Sequence, residues 1–533
     1  MPFRRIDKLS LVRMSQGNDP EIESSTWSIA GRIGLLAGPL LAVVVYLILP
    51  DGDSLLSHAG KATAAIGTLM AIWWMTEAVP LEATSLLPLV LLPLCGVYEG
   101  GKESAFQKAA TPYANSSLFL FLGGFLIALA VERWGLHRRV ALLTVLLVGT
   151  QPVRIVAGFM IATAFISMWI SNTATTLMML PIGLSVVHLM QRQLSQMASP
   201  SEEEHERAVL ASKNFATCLM LGIAYAASIG GLGTLIGTPP NVYFAGFMRE
   251  QGLPISFYHW LLFAAPFAAV YLAVCWWLLV GILFPLRHAE LRGGHALITD
   301  ELASLGRVSR GEMIVLIVFL CTALAWIARE PLSNLPWVVK NIPQLEVIDD
   351  AWIAMAGAIA LFLIPVDPQR GVFALDWTSA KRLPWGVLLL FGGGLSLAAA
   401  MGSSGLATWV GEQMRGLSGV PVPIVIIVVT AGVILFSELA SNLATAATLL
   451  PLLFEVARAL EVDPLLLTVP AIVGASCGFM LPVATPPNAI AFGTGYISMR
   501  QMMRAGIWLD LAAVVLVPIF VYTLGSWALG MKW

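Results

Sequence analysis

Two kinds of polar break interrupt long apolar stretches of this chain, and each kind occurs twice. The first kind is Ser171-Asn172-Thr173, repeated as Ser441-Asn442-Leu443. In each case an apolar run ends at the Ser-Asn pair and a new one begins. Ser, Asn and Thr are favoured at helix N-caps because their side-chain oxygens satisfy free backbone donors. Midway through apolar sequence they suit a break, with one helix ending and another starting. Such a break gathers carbonyl oxygens, hydroxyls, an amide and a positive helix N-terminus at one point. The oxygens suit a hard cation such as Na⁺, and the helix N-terminus with its amide donors suits a carboxylate. The competing reading is that Ser and Asn only join helices by hydrogen bonds. Recurrence in register, each time followed by a second polar break, favours the ligand-binding reading.

That second break runs from Gly230 to Asn241 and ends in Thr238-Pro239-Pro240-Asn241. Its counterpart, Gly478 to Asn488, ends in Thr485-Pro486-Pro487-Asn488. A proline pair removes two backbone donors and disfavours helix just before it, which frees the carbonyls of Gly237 and Ala484 to coordinate. Non-helical backbone at membrane depth is tolerated only inside protein or beside a water-filled cavity. None of the four motifs contains Lys or Arg. A dianion there has to be held by dipoles, hydroxyls, amides and bound cations, so its binding should depend on cations. Glu438, just before Ala440-Ser441-Asn442, is placed to tune a cation site. Glu77, in Trp73-Trp74-Met75-Thr76-Glu77-Ala78-Val79-Pro80, reads as an interfacial residue beside its tryptophans. The five cysteines sit in apolar segments without metal-ligand spacing, and the seven histidines are scattered. No nucleophile–base pair or metal cluster is visible, so the chain does not read as an enzyme. No basic stripe suggests nucleic acid.

The elements that must carry these breaks are membrane-spanning helices. The chain of 533 residues is 58% hydrophobic and only 12% charged, about half the roughly 25% charge of a soluble domain. Its mean hydropathy is +0.81. Apolar runs such as Ile33–Leu49, Phe263–Phe284 and Leu511–Leu529 are long enough, or nearly so, to cross a bilayer core of about 30 Å. About ten to twelve crossings are expected, Pro- and Gly-broken runs being possible hairpins. The arrangement is duplicated. At an offset of 270, Phe121-Leu122-Gly123-Gly124-Phe125 falls on Phe391-Gly392-Gly393-Gly394-Leu395, Gly135-Leu136 on Gly405-Leu406, Ser171-Asn172 on Ser441-Asn442, and Leu180-Pro181 on Leu450-Pro451. The Thr-Pro-Pro-Asn motifs match at an offset of 247. The hydrophilic stretch Gln191–Lys213, read as a loop inserted in the first copy, accounts for the difference. The plan is an N-terminal tail (1–32), a first span and connection (33–64), repeat one (65–285), a polar linker (286–311) and repeat two (312–533). Arg4, Arg5, Lys8, Arg13 and Arg32 precede the first span and Asp51 and Asp53 follow it, which places the N-terminus in the cytoplasm by the positive-inside rule.

Together, the Trp73–Pro80 motif, the two Ser-Asn motifs and the two Thr-Pro-Pro-Asn motifs resemble the divalent anion:sodium symporter family, from about residue 30 to the C-terminus. The resemblance implies an all-α polytopic protein of the cell (inner) membrane with about 11 transmembrane helices. It implies two inverted repeats, each with a re-entrant helical hairpin and a broken helix, assembled as a homodimer and working by elevator-type alternating access. A first Na⁺ site would use Ser167, Ser171, Asn172 and the backbone of Gly237. A second would use Ser437, Ala440, Asn442 and the backbone of Ala484. The substrate carboxylates would meet Ser171, Asn172, Thr173, Ser441 and Asn442, closed over by Thr238, Pro239, Thr485 and Pro486. Leu443 departs from the doubled Ser-Asn-Thr pattern and substitutes an apolar wall for a hydroxyl. The expected activity is Na⁺-coupled symport of a C4-type dicarboxylate such as succinate, malate or fumarate. The alternatives are a sodium-independent exchanger, or a carrier of citrate or sulfate, on the same fold.

Overall fold

The computed structural model describes residues 29–50, 56–98, 103–149, 151–195, 202–286, 293–341, 347–414 and 419–532. The basic residues Arg4 to Arg13, and Asp51 and Asp53, lie outside the described residues. Described secondary structure is almost entirely helical, apart from a short antiparallel pairing of Pro365–Asp367 with Val372–Phe373. Eight described helices are long and apolar enough to cross a bilayer, and five shorter apolar helices accompany them. The chain is a multi-pass membrane protein.

The first helix, Ile29–Ile48, illustrates why the apolar surplus is needed. Ile33, Leu36, Leu40 and Leu47 all point outward, and only Gly31, Gly34, Gly38 and Ala42 are buried. Small residues three or four apart let this helix lie close against His58–Thr76, while the large side chains face lipid, which is as apolar as they are. The paired glycines of the sequence repeat serve the same end. A Cβ at Gly123 would come 2.6 Å from the Ala354 carbonyl carbon, so the helix Ser116–Arg133 crosses Asp350–Leu363 almost backbone to backbone. Asn115 caps Ser116–Arg133 by accepting from the Ser117 amide at 2.8 Å. Glu77 is exposed at the end of His58–Thr76, in a left-handed conformation with φ 48°.

One sequence expectation needs correction. The stretch Gln191–Lys213 is not simply a loop, because one helix continues to Ser195 and the next begins at Glu202. The run of glutamates favours a helix N-terminus electrostatically, and Arg207 pairs with Glu203 one turn away at 2.5 Å. The insertion therefore lengthens two helices. The linker between the repeats also holds a helix, Gly294–Ser304. Its far end is tied down by Arg139, which donates to the Gly306 carbonyl at 3.1 Å and to Glu312 at 2.9 Å.

Ten helices bear on the site. In the first region they are α1 (Pro152–Ser167), α2 (Asn172–Ser195), α3 (Glu202–Leu232), α4 (Pro239–Glu250) and α5 (Phe257–Trp277). In the second they are α6 (Val422–Ser437), α7 (Asn442–Ala459), α8 (Leu465–Ala475), α9 (Pro486–Phe492) and α10 (Met499–Leu529). The regions interlock crosswise. Helix α4 packs on α7, with Tyr243 reaching the Ala447 carbonyl at 3.4 Å and Phe247 meeting Phe454 edge-on at 5.4 Å. Helix α9 packs on α2 and α3. Tyr225 of α3 donates to the Phe479 carbonyl at 3.0 Å, and Thr217 to that of Tyr496 at 3.2 Å. Each Thr-Pro-Pro-Asn helix is thus seated against the other region's helices.

Candidate functional site

The break between α1 and α2 spans only Met168–Ser171, and that between α6 and α7 only Glu438–Ser441. In the first, the Ser167 hydroxyl lies 2.7 Å from the Asn172 side-chain oxygen and 2.7 Å from the Ala227 carbonyl of α3. In the second, the Ser437 hydroxyl lies 3.1 Å from the Asn442 oxygen and 2.6 Å from the Ala475 carbonyl of α8. Each serine faces two acceptors and owns one hydrogen. Three oxygens held together with one proton among them form a cluster that a small cation can complete. Both serines are fully buried, and both asparagines are half-buried.

The proline breaks close on these clusters. A Cβ at Gly231 would come 2.5 Å from the Asn172 oxygen. One at Gly237 would come 2.5 Å from the Gly231 carbonyl and 3.0 Å from that of Met168. In the second region a Cβ at Gly478 would come 3.1 Å from Ala484 and 3.4 Å from the Ser437 carbonyl. Ser167, Asn172 and Gly237 therefore converge, as do Ser437, Asn442 and Ala484. Beyond each proline pair the first N–H is directed at the threonine. Asn241 donates to the Thr238 carbonyl at 3.2 Å, and Asn488 to the Thr485 hydroxyl at 3.4 Å. Neither is spent on the carbonyl of Gly237 or Ala484.

The motif asparagines have a role that spacing alone did not assign. The Asn241 amide donates to the carbonyls of Gly231 (3.3 Å), Leu232 (3.2 Å) and Thr234 (2.8 Å). The Asn488 amide donates to those of Gly478 and Leu481, both at 3.1 Å. Gly478 and Leu481 stand at the 247 offset from Gly231 and Thr234, so each asparagine clamps the same two points of its unwound loop. Their own side-chain oxygens, and the hydroxyls of Thr175 and Thr445, are buried without a hydrogen-bond partner among the described residues. Both orphan pairs occupy matching positions in the two regions. Buried polar atoms without partners are rare and mark places where something else supplies the contact.

The remaining predicted residues divide by environment. Ser171 accepts from the Ala174 amide at 3.2 Å and caps α2, whereas Ser441 at the start of α7 makes no side-chain cap bond. Thr173 is half-buried beside Asn172, but Leu443 is buried in the apolar core. Thr238, Ala440, Ala484 and Thr485 are buried, Pro239 is half-buried and Pro486 is exposed. Four helix N-termini, at Asn172, Pro239, Asn442 and Pro486, begin at these breaks.

The far end of α4 carries a separate polar cluster. Glu250 accepts from Asn115 at 3.0 Å, and Arg249 reaches Ser116 at 2.5 Å and Asp349 at 3.2 Å. Glu250 faces a cavity of about 450 Å³, lined also by Thr111, Gln251, Ala398 and Gly402. Desolvation raises its carboxyl pKa to about 7, against the lowering effect of Asn115.

Comparison with known proteins fits this arrangement. Residues 32–531 match the family described as the sodium:sulfate symporter transmembrane region. The sodium-dependent dicarboxylate transporter SdcS of Staphylococcus saprophyticus is 42% identical over 512 residues, covering 96% of this chain and 94% of the relative. The Staphylococcus aureus protein of the same name is 41% identical over 501 residues, covering 94% and 92%. Among solved structures, the Alcanivorax borkumensis YdaH transporter superposes with a TM-score of 0.52 at 16% identity, covering 87% of this chain and 99% of that one. That likeness shows the fold alone. With its family model matched over nearly the whole length, and with relatives this similar from end to end, the chain belongs to the sodium:sulfate symporter family, the divalent anion:sodium symporters.

Proposed function

We propose that this protein is a secondary transporter that moves a C4-type dicarboxylate across the membrane together with Na⁺. The observation that carries the reading is the pair of matching oxygen clusters, Ser167–Asn172 and Ser437–Asn442. They are built at the starts of crosswise-packed helices, with no Lys or Arg in any of the four motifs. A dianion brought here meets helix N-termini and amide donors, and bound Na⁺ supplies the missing positive charge. The names of the relatives, sodium-dependent dicarboxylate transporters, support both the ion and the substrate class.

In this reading Na⁺ is cargo. Ser167, Ser171, Asn172 and the Gly237 backbone hold one ion, and Ser437, Ala440, Asn442 and the Ala484 backbone hold another. Ser171, Asn172, Thr173, Ser441 and Asn442 face the carboxylates, beneath Thr238, Pro239, Thr485 and Pro486, with Leu443 as an apolar neighbour. The inverted repeats (65–285 and 312–533) move the site past a scaffold in elevator fashion. The protein acts as a homodimer in the cell (inner) membrane, with its N-terminus in the cytoplasm. More than two Na⁺ per dianion would make transport electrogenic, each net charge contributing about 2.3 kcal/mol per 100 mV.

The test is uptake of labelled succinate into proteoliposomes, with and without an inward Na⁺ gradient. Uptake should require external Na⁺ and should not require internal dicarboxylate. Equal uptake without Na⁺ rejects symport, and a need for internal dicarboxylate identifies an exchanger. Competition by sulfate or citrate in preference to succinate reassigns the substrate.

A further inference from the structure

One buried acid does not fit the role of ligand. Glu438 occupies the turn between α6 and α7, directly after Ser437, and is 2% exposed. Its carboxylate accepts three consecutive backbone N–H groups from the unwound loop before α9. One oxygen takes Phe479 at 2.6 Å and Met480 at 2.8 Å, and the other takes Leu481 at 3.0 Å. Charge-assisted bonds of this kind are about twice as strong as neutral ones. Three of them fix the loop from one side while Asn488 fixes it from the other, through Gly478 and Leu481. Helix α10 presses on the same place. A Cβ at Gly506 would come 2.5 Å from the Met480 Cα, and one turn later Asp510 sets its carboxyl against that of Glu438. The two carboxyls share a hydrogen bond, and no other donor among the described residues reaches the Asp510 oxygens.

The first region holds its loop at the equivalent points by other means. At the 270 offset, Met168 stands where Glu438 does; at the 247 offset, Phe263 stands where Asp510 does and Thr234 where Leu481 does. There the Thr234 hydroxyl donates to the Met168 carbonyl and accepts from the Gly237 amide at 3.1 Å. In both regions the loop donates and the turn accepts. In the first the loop uses a side chain and the turn its backbone, and in the second the assignments are exchanged.

We propose that Glu438 is a positioning residue for the second cation site, and that Thr234 is its counterpart for the first. Each braces the unwound loop whose end delivers a backbone oxygen, of Ala484 or Gly237, to the cluster beside it. Glu438 has no need to touch the cation. The inference rests on the Na⁺-symport reading and adds which residues set the affinity for each ion.

The test is Glu438→Gln in proteoliposomes, alongside the wild type. Glutamine retains one oxygen for Phe479 and Met480 but turns an NH₂ group toward the Leu481 donor. Loss of an outer-shell partner costs about 10-fold or more in metal affinity. The half-saturating Na⁺ concentration should therefore rise about 10-fold, while the KM for succinate at saturating Na⁺ stays within about twofold. Na⁺-induced thermal stabilisation without substrate should need correspondingly more Na⁺. In the first region Thr234→Val should raise the Na⁺ requirement, and Thr234→Ser, which keeps the hydroxyl, should restore it. This pair carries the test alone if Glu438→Gln fails to reach the membrane. Unchanged Na⁺ half-saturation in Glu438→Gln overturns the proposal. So does a loss shared equally by Na⁺ affinity, succinate affinity and stability at saturating Na⁺. If the wild type itself takes up succinate without Na⁺, the symport reading fails instead.

Discussion

Around its first break the chain holds the proline loop with neutral groups, a threonine hydroxyl against a peptide carbonyl. Around the second it uses a carboxylate beneath three amides, backed by another acid. The outer parts of the two regions differ while the inner parts agree. The Ser–Asn contact, the asparagine clamp and the orphan oxygens recur at matching positions. What is repeated is the set of atoms that would face an ion, while on the carboxylate side Thr173 has Leu443 as its counterpart. What has diverged is the means of keeping those atoms in place. Equal inner atoms predict equal losses on direct substitution, and unequal supports predict unequal losses one layer out.

The largest effect should come from Asn172→Ala and Asn442→Ala. Each removes an oxygen from a buried cluster, and Na⁺-driven uptake should fall at least about tenfold in both, a change of about 1.4 kcal/mol or more. If one variant kept full Na⁺ dependence, its region would drop out of the site and the symmetry would be broken. The clamps should come next. Asn241 serves three carbonyls and Asn488 two, and an unsatisfied buried group costs about 1–3 kcal/mol. Asn241→Ala should lower the melting temperature more than Asn488→Ala does. Equal melting temperatures would mean that the third bond adds nothing.

Smaller effects should separate the two Ser-Asn neighbours. Thr173 is half-buried while Leu443 is core, so Thr173→Leu should raise the succinate KM about threefold or more, under 1 kcal/mol at the lower bound. Leu443→Thr should instead act on stability, and a larger KM change there than at Thr173 would place Leu443 against substrate. The smallest effect concerns Glu250. Its folded pKa, raised to about 7 from its ordinary 4.5, reflects partial desolvation of a carboxyl that still touches solvent at the cavity mouth. The stability this group contributes is therefore fully present below about 4.5 and is lost as pH rises through about 7. Glu250→Gln should flatten the melting temperature between pH 5 and 8 and raise it at pH 8 relative to the wild type. A variant that kept the wild-type slope would show that another group titrates there.

Much of this was legible in sequence because the breaks are written in residue types with few alternative uses in a bilayer. A Thr-Pro-Pro-Asn run cannot continue a helix, and a Ser-Asn pair between apolar runs starts one. Partners across space were not legible. The asparagine clamps sit inside the quoted motifs, but which carbonyls they meet depends on the loop's path. Asp510 is marked in the sequence as the lone acid in the long apolar run of α10. The stretch Gln191–Lys213 misled because its charge suggested solvent, and solvent is equally compatible with helices that extend past the membrane. The linker at 286–311 hid its helix for the same reason.

The crosswise seating of α4 on α7 and of α9 on α2 bears on how the protein is made. When α4 leaves the ribosome, its partner is still roughly 200 residues from being synthesised, and α9 closes the arrangement later still. At about 5–20 residues per second that interval lasts about 10–40 seconds. Through it the face of α4 that meets α7, and the faces of α2 and α3 that meet α9, stand uncovered, although the first Ser-Asn break already has its own-region partners. Chains stopped before residue 442 should therefore leave α2 and α4 open to protease and to quality control, while full-length chains protect them. The interlock makes completion of the second region the checkpoint for the first.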